Sequence, residues 1–122
     1  MWKMTGVVEH GKALGRTVGM PTINLRVPDE IQRPPSGVYA STMTIHGKKY
    51  RGLTNIGRRP SVDSEKRETV ETYLLGFSED VYGETVELQI DTFIRGIKKF
   101  ASIEEVKEQV QKDIRTAGIS EE

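Results

Sequence analysis

The chain has 122 residues, 35% of them hydrophobic and 30% charged, a size suited to one domain around one core and a balance that excludes a wholly disordered polymer. Eighteen Lys and Arg side chains offset eighteen Asp and Glu, so no global field draws the chain onto nucleic acid or an anionic membrane. Cysteine is absent, which excludes disulfides and thiolate metal sites and points to a reducing, cytoplasmic setting.

The opening Met1-Trp2-Lys3-Met4-Thr5-Gly6 has no apolar core of signal-peptide length. No later stretch approaches the roughly 20 apolar residues of a membrane span, so neither export nor anchoring is expected. Trp2 to Glu9 reads as a first strand that breaks at His10-Gly11. From Gly11 to Pro21 the glycines Gly11, Gly15 and Gly19 rule out a stable helix or a regular strand and mark a loop. Thr22-Ile23-Asn24-Leu25 is a short extended piece, followed by an irregular connection through Pro28, Pro34, Pro35 and Gly37.

Gly37 to Ile45 and Lys48 to Ile56 are β-rich and separated by His46-Gly47, the spacing of a tight hairpin. Arg58 to Arg67, with Pro60 inside it, reads as an exposed loop. Thr69 to Leu75 is a strand with Val70, Thr72 and Leu74 on one face and Glu71, Tyr73 and Leu75 on the other. Tyr82-Gly83 sits in a turn, and Thr85 to Arg95 alternates with Val86, Leu88, Ile90 and Ile94 on one side. Ser102 with Glu105 forms a capping-box pattern, after which Ile103, Val106, Val110 and Ile114 recur at helical spacing up to Gly118. About six strands before one terminal amphipathic helix, with hairpin-length connections, argue for a mainly β chain: a closed antiparallel barrel that leaves no exposed edge.

Two groups of residues suit chemistry. The loop from Gly11 to Gly19 carries Lys12 and Arg16 among glycines, a composition that can bring backbone N–H groups close to phosphate oxygens; the alternative is a loop that only turns the chain. It is not of the GxxxxGK[ST] type, and no GxGxxG is present. Thr22 and Asn24 are separated by one residue, so an extended backbone points both to one face. There their oxygens could serve Mg²⁺ completed by water and phosphate, or satisfy local backbone groups instead. His10 and His46 lack the companions a zinc site needs.

Gly15-Arg16 followed by Gly19-Met20-Pro21-Thr22-Ile23-Asn24 resembles the GR…G-x-PTxN signature of the flavokinase (riboflavin kinase) family. The resemblance continues in order through Gly37-Val38-Tyr39-Ala40, Thr54-Asn55-Ile56-Gly57-Arg58-Arg59-Pro60, Val70-Glu71-Thr72, Tyr82-Gly83, and Arg95 with Lys99-Phe100. It covers nearly the whole chain and extends to the C-terminal module of bacterial bifunctional FAD synthetases.

The resemblance implies a six-stranded Greek-key barrel with a C-terminal helix, occupying 1–122 as one kinase domain. It also implies transfer of the ATP γ-phosphoryl group to the 5′-hydroxyl of riboflavin, with Mg²⁺ as cofactor and riboflavin and ATP as partners. Thr22 and Asn24 match the residues that hold Mg²⁺ and the ATP phosphates, and Gly15, Arg16 and Gly19 match the loop that covers the nucleotide. Glu71 matches the catalytic carboxylate; Glu68, which also precedes a Thr-Val pair, falls outside that register. Were the Glu71 face to line the barrel mouth, partial desolvation would make Glu71 a stronger base. Arg95 matches a position near the flavin, as a ligand or as a support. Ile97 stands where the family commonly has Glu.

No HxGH-like stretch for a nucleotidyltransferase is present, so the expected product is FMN, and a monomer is the default state. Two other function classes compete. A flavin-binding module without catalysis draws its support from Ile97. A single-strand nucleic-acid barrel is disfavoured by balanced charge and 7% aromatic content.

Overall fold

The computed structural model describes residues 2–9, 22–28, 31–59, 67–77, 79–98 and 100–118, with the side chains of 58, 59, 67, 68 and 103 outside that set. Among the described residues there are six strands: β1 (Trp2–Glu9), β2 (Thr22–Arg26), β3 (Gly37–Ile45), β4 (Lys48–Arg59), β5 (Arg67–Leu74) and β6 (Thr85–Arg95). Helix α1 (Ile103–Ala117) follows them.

The strands close into a barrel in the order β1-β2-β5-β4-β3-β6, every pair antiparallel. Strands β3, β4 and β5 form a meander and β6 returns beside β3, which is the Greek-key arrangement. Closure leaves each of these strands paired on both sides, so no edge is offered to another chain.

Period-two alternation decides which residues fill the interior. Met4, Val8, Leu25, Met43, Ile45, Ile56, Val70, Leu74, Val86, Leu88 and Ile90 are all buried in one cluster. In β6 the alternation holds through Ile90. Register shifts beside Ala40/Ser41 and Val38/Tyr39 then pass over Asp91 and Ile94. Bulges of this kind interrupt the pleat. As a result Ile94 is only half-buried, where the uninterrupted pattern places it with Val86, Leu88 and Ile90.

The hairpin between β3 and β4 turns at His46 and Gly47, both with positive φ (52° and 78°). That pair of conformations is the type I′ geometry, whose twist matches a two-residue hairpin. The loop expected over Arg58 to Arg67 is shorter than the sequence suggests. β4 runs on to Arg59 and β5 begins at Arg67, because their ladder continues through Arg58↔Glu68 and Arg59↔Arg67.

Inside the barrel a chain of hydroxyls ties three strands together. Thr54 Oγ1 donates to Ser41 Oγ at 2.7 Å and lies 2.8 Å from Thr72 Oγ1. Thr54 has a single proton and gives it to Ser41, so Thr72 is the donor to Thr54. All three residues are buried, and buried hydroxyls are tolerated when they satisfy one another.

Helix α1 starts as its sequence pattern requires. Ser102 accepts from the Glu105 N–H at 3.2 Å, and Glu105 Oε2 accepts from the Ala101 N–H at 2.6 Å. Two donors at the helix start are thereby satisfied, one residue offset from the usual capping box. Gly118, with φ 68°, closes the helix in the left-handed conformation. Val110, Ile114 and Ala117 pack on the outside of the barrel against Val38, Leu53, Tyr73 and Leu75.

At Gly52 two strands approach closely: a Cβ there would stand 2.2 Å from the Tyr73 carbonyl oxygen. Gly52→Ala is therefore expected to cost about 1–3 kcal/mol in a urea melt. Gly96→Ala, whose Cβ would meet nothing within 4 Å, should change stability by less than about 0.5 kcal/mol. Equal stability of the two variants would contradict the close approach.

Candidate active site

The outer wall of the barrel carries the polar residues singled out from the sequence. In β2, Leu25 and Ile23 belong to the interior cluster, so Thr22 and Asn24 project outward by alternation. In β5, Val70 and Leu74 are interior while Tyr73 and Leu75 pack beneath α1. Glu71 consequently lies on the outer face with Tyr73 and Leu75, and it is half-buried. That face lines the outside of the wall rather than the barrel mouth.

Strand register brings these residues together. Asn24 pairs with Glu71 across β2 and β5, and Thr22 pairs with Tyr73 in the same ladder. On its other side Glu71 pairs with Asn55 of β4. Directly opposed residues share a face, so Asn24, Glu71 and Asn55 form a row of amide, carboxylate and amide. With strands about 4.8 Å apart, the row spans about 10 Å. Glu68 pairs instead with Arg58, three residues back along β5.

The row continues into an apolar patch. Asn55 pairs with Val38, and Val38 with Arg95. Val38 is buried with Leu53 and Leu75 under the Val110, Ile114 and Ala117 face of α1. The helix thus forms a wall beside Glu71 on the side away from β2.

Arg95 lies at the far end of this row, about 14 Å along the sheet from Glu71 at three strand spacings. Its guanidinium holds Asp113 of α1: Nε donates to Oδ1 at 2.9 Å and to Oδ2 at 3.1 Å, and Nη2 donates to Oδ2 at 3.0 Å. Gln109 Nε2 also donates to Asp113 Oδ1 at 3.0 Å, and the Phe100 ring lies 5.7 Å from the guanidinium carbon. Asp113 is only 2% exposed, so Arg95 supplies the counter-charge that allows a carboxylate beneath the helix. Ile97, by contrast, is 52% exposed. The acidic partner that the sequence lacks at Ile97 comes from α1 instead.

At the open end of the barrel beyond β3, Tyr39 donates its hydroxyl proton to the Pro35 carbonyl at 2.6 Å and meets Phe93 edge to face, ring centroids 5.3 Å apart. Burial pushes the Tyr39 phenol above its ordinary pKa, which keeps it a neutral donor to Pro35. Tyr82 and Gly83 form a turn; its backbone ties to β1 through the Gly83 N–H and the Val8 carbonyl at 2.8 Å.

Gly15, Arg16 and Gly19 lie outside the described residues, as do His10, Pro60 and Lys99. Sequence reasoning missed Asp113 and Gln109, and gave no role to Asn55, which it quoted only within the Thr54–Pro60 block. Asp113 carried a signal, since it interrupts the apolar stripe of Val106, Val110 and Ala117. Asn55 carried one also, an amide in mid-strand where Asn is depleted.

Among the described residues no three His, Cys, Asp or Glu side chains converge as a metal cage. The oxygens of Thr22 and Asn24 on one strand face instead suit a hard cation that keeps water and phosphate oxygens in its shell.

Residues 1–120 match the family model described as Flavokinase: Riboflavin kinase. The bifunctional riboflavin kinase/FMN adenylyltransferase of Haemophilus influenzae is 37% identical over 117 residues, 95% of this chain and 37% of that protein. A solved Streptococcus pneumoniae structure described as a macrolide-efflux protein superposes with a TM-score of 0.90 at 33% identity, over 97% of this chain and 38% of that one. Riboflavin kinase from Trypanosoma brucei shares the fold, with a TM-score of 0.67 at 22% identity, over 95% of this chain and 76% of that one. The chain thus spans little more than a third of the Haemophilus protein's length.

Arg95→Ala should destabilise the fold by about 2–4 kcal/mol, somewhat less than loss of one partner from a fully buried pair; the Arg95 side chain is 22% exposed. Arg95→Met combined with Asp113→Leu should recover most of that loss in thermal melts. A double variant as unstable as Arg95→Ala would show that the pair is not what holds α1.

Proposed function

The chain belongs to the flavokinase family, and on that premise we propose that it transfers the γ-phosphoryl group of ATP to the ribityl 5′-hydroxyl of riboflavin, giving FMN and ADP. The observation that carries this reading is the register Asn24↔Glu71. It sets an acid beside the two oxygen-bearing side chains of the Pro-Thr-x-Asn block on one outer wall.

Phosphoryl transfer asks little covalent chemistry of a protein; it asks for alignment and for charge neutralisation. In this reading Thr22 and Asn24 hold the Mg²⁺-bound phosphates from the β2 side. Bound there, Mg²⁺ would neutralise charge on the phosphate oxygens. Gly15, Arg16 and Gly19 are assigned to the same nucleotide by the resemblance of their motif.

Glu71 orients the acceptor hydroxyl in line with the γ-phosphorus. As the new oxygen–phosphorus bond forms and the bond to the β–γ bridging oxygen breaks, the hydroxyl proton passes to the Glu71 carboxylate and ADP leaves. In this reading the ring system of the acceptor lies on the opposite side of Glu71, toward α1. Arg95 acts as a support for α1 through Asp113. That pairing removes the reason Ile97 offered for a flavin-binding module without catalysis.

A cytoplasmic, reducing setting suits a chain without cysteine. No described helix is long and apolar enough to cross a membrane.

Glu71→Gln keeps the shape of the side chain and removes its basicity. With riboflavin, ATP and Mg²⁺ supplied, kcat for FMN formation should fall by roughly 10²–10⁴, while ATP binding stays within about twofold. A variant that retains the full rate would remove Glu71 from this role. A well-folded parent chain that makes no FMN would overturn the reading as a whole.

A further inference from the structure

The row that holds Asn24, Glu71 and Asn55 has a further member on the side away from α1. Glu9 of β1 pairs with Asn24 of β2. Along β1, Met4, Gly6 and Val8 are buried while Lys3, Thr5 and Glu9 are exposed, so Glu9 stands on the outer face, as Asn24 does. Asn24 therefore has a carboxylate residue directly opposite it on either side, Glu71 on β5 and Glu9 on β1. At two strand spacings these acids are about 10 Å apart. Glu9 also ends β1, and Thr22 begins β2; the stretch with Gly15, Arg16 and Gly19 joins these two residues in sequence.

A carboxylate in this place has no part in taking the acceptor proton, which belongs to Glu71. Its effect on a nucleotide depends on what lies between them. Nucleotide phosphates are anionic, so Glu9 opposes a nucleotide that arrives without a metal ion. With a divalent cation held at Thr22 and Asn24 the sign reverses, because the carboxylate then faces positive charge, directly or through water in the cation's shell. Thr22 and Asn24 offer only neutral oxygens. Glu9 brings negative charge to the cation from the β1 side. Arg26, opposite Val7 and diagonal to Glu9 on the same face, offers the ordinary alternative of a cross-strand ion pair. That alternative predicts an effect on stability and none on metal dependence.

We propose that Glu9 makes nucleotide binding depend on the divalent cation: it strengthens the metal-loaded nucleotide, weakens the metal-free one, and so selects the form competent for transfer. This rests on the kinase reading above, in which Thr22 and Asn24 hold the Mg²⁺-bound phosphates. Glu9 is a positioning residue in this scheme, acting through the cation and its water and not on the reacting atoms.

The test measures ADP binding by isothermal titration calorimetry, with Mg²⁺ present and with Mg²⁺ removed by EDTA, so that the effect is read without turnover. In the unaltered chain Mg²⁺ should tighten ADP binding. Glu9→Gln should weaken Mg²⁺-loaded ADP and strengthen metal-free ADP, lowering the ratio of the two affinities by roughly three- to tenfold. Glu9→Lys should lower it further, since the charge is then reversed. Glu87→Gln is the control for general charge. Glu87 is exposed opposite Thr5, about 14 Å from Glu9 and beyond the screening length of about 10 Å at 0.1 M salt. Its removal should leave the ratio unchanged. Riboflavin affinity, read by flavin fluorescence, should stay within about twofold in all three variants.

An unchanged affinity ratio in Glu9→Gln would overturn the proposal. So would an equal loss with and without Mg²⁺, the mark of a structural role such as a pair with Arg26, or an equal fall in Glu87→Gln, the mark of general charge. An unaltered chain that binds ADP no better with Mg²⁺ than without it would overturn it as well. Thermal melts check that the variants fold; if Glu9→Lys does not, Glu9→Gln decides alone. Failure of a well-folded unaltered chain to make FMN removes the kinase reading, whereas an unchanged ratio in a chain that does make FMN removes only the role of Glu9.

Discussion

The site depends on strand register. Side chains alternate across a sheet with a period of two, so a slip of one residue in β5 would send Glu71 into the interior and bring Val70 and Thr72 out. The interior opposes such a slip. Thr72 is tied by a hydroxyl bond of 2.8 Å to Thr54, which in turn holds Ser41 at 2.7 Å, and Val70 and Leu74 fill the core on either side of Thr72. A slipped β5 would break the Thr72–Thr54 bond and bury a carboxylate without a partner, at a cost of several kcal/mol. The residues flanking Glu71 in sequence thus hold it on the outside.

The same logic sets the position of α1. Its apolar face covers Val38, Leu53, Tyr73 and Leu75, which belong to the same outer wall as Glu71. A helix placed only by apolar contact could shift along the barrel, because such contact has little directional preference. The three hydrogen bonds from Arg95 to Asp113 add direction. Charge at this end of the molecule therefore serves geometry: it fixes the wall that adjoins the acid. The two sides of Glu71 are in this way both fixed relative to β5, one by the helix and one by the β2 ladder.

Much of this architecture was legible in the sequence, for identifiable reasons. The first strand, the Gly37–Ile45 strand with its His46-Gly47 turn, the strand ending at Arg95 and the capped terminal helix each carried a strong local signal: alternation, a turn dipeptide, or a capping box. The extension of β4 and β5 across Arg58, Arg59, Arg67 and Glu68 was not legible. Charged residues read as loop, and only pairing between the two strands keeps them extended. The bulges in β6 left no mark either, because an uninterrupted alternation suggests a regular strand through Ile94. As for the site, the shared face of Thr22 and Asn24 followed from their spacing, whereas the role of Glu71 rested on family resemblance. Its place beside Asn24, and that of Asn55 on its far side, emerged only when the strands were paired. The link between Arg95 and Asp113 joins a strand to a helix, and no local pattern reports that.

The account stands on Glu71 meeting both substrates on the outer wall of the barrel. A crystal structure with riboflavin, Mg²⁺ and a non-hydrolysable ATP analogue measures this directly. The expected result is a ribityl 5′-hydroxyl within about 2.6–3.2 Å of a Glu71 carboxylate oxygen, with the phosphates on the side of Thr22 and Asn24. A riboflavin bound elsewhere, with Glu71 open to bulk water and touching neither ligand, would contradict it.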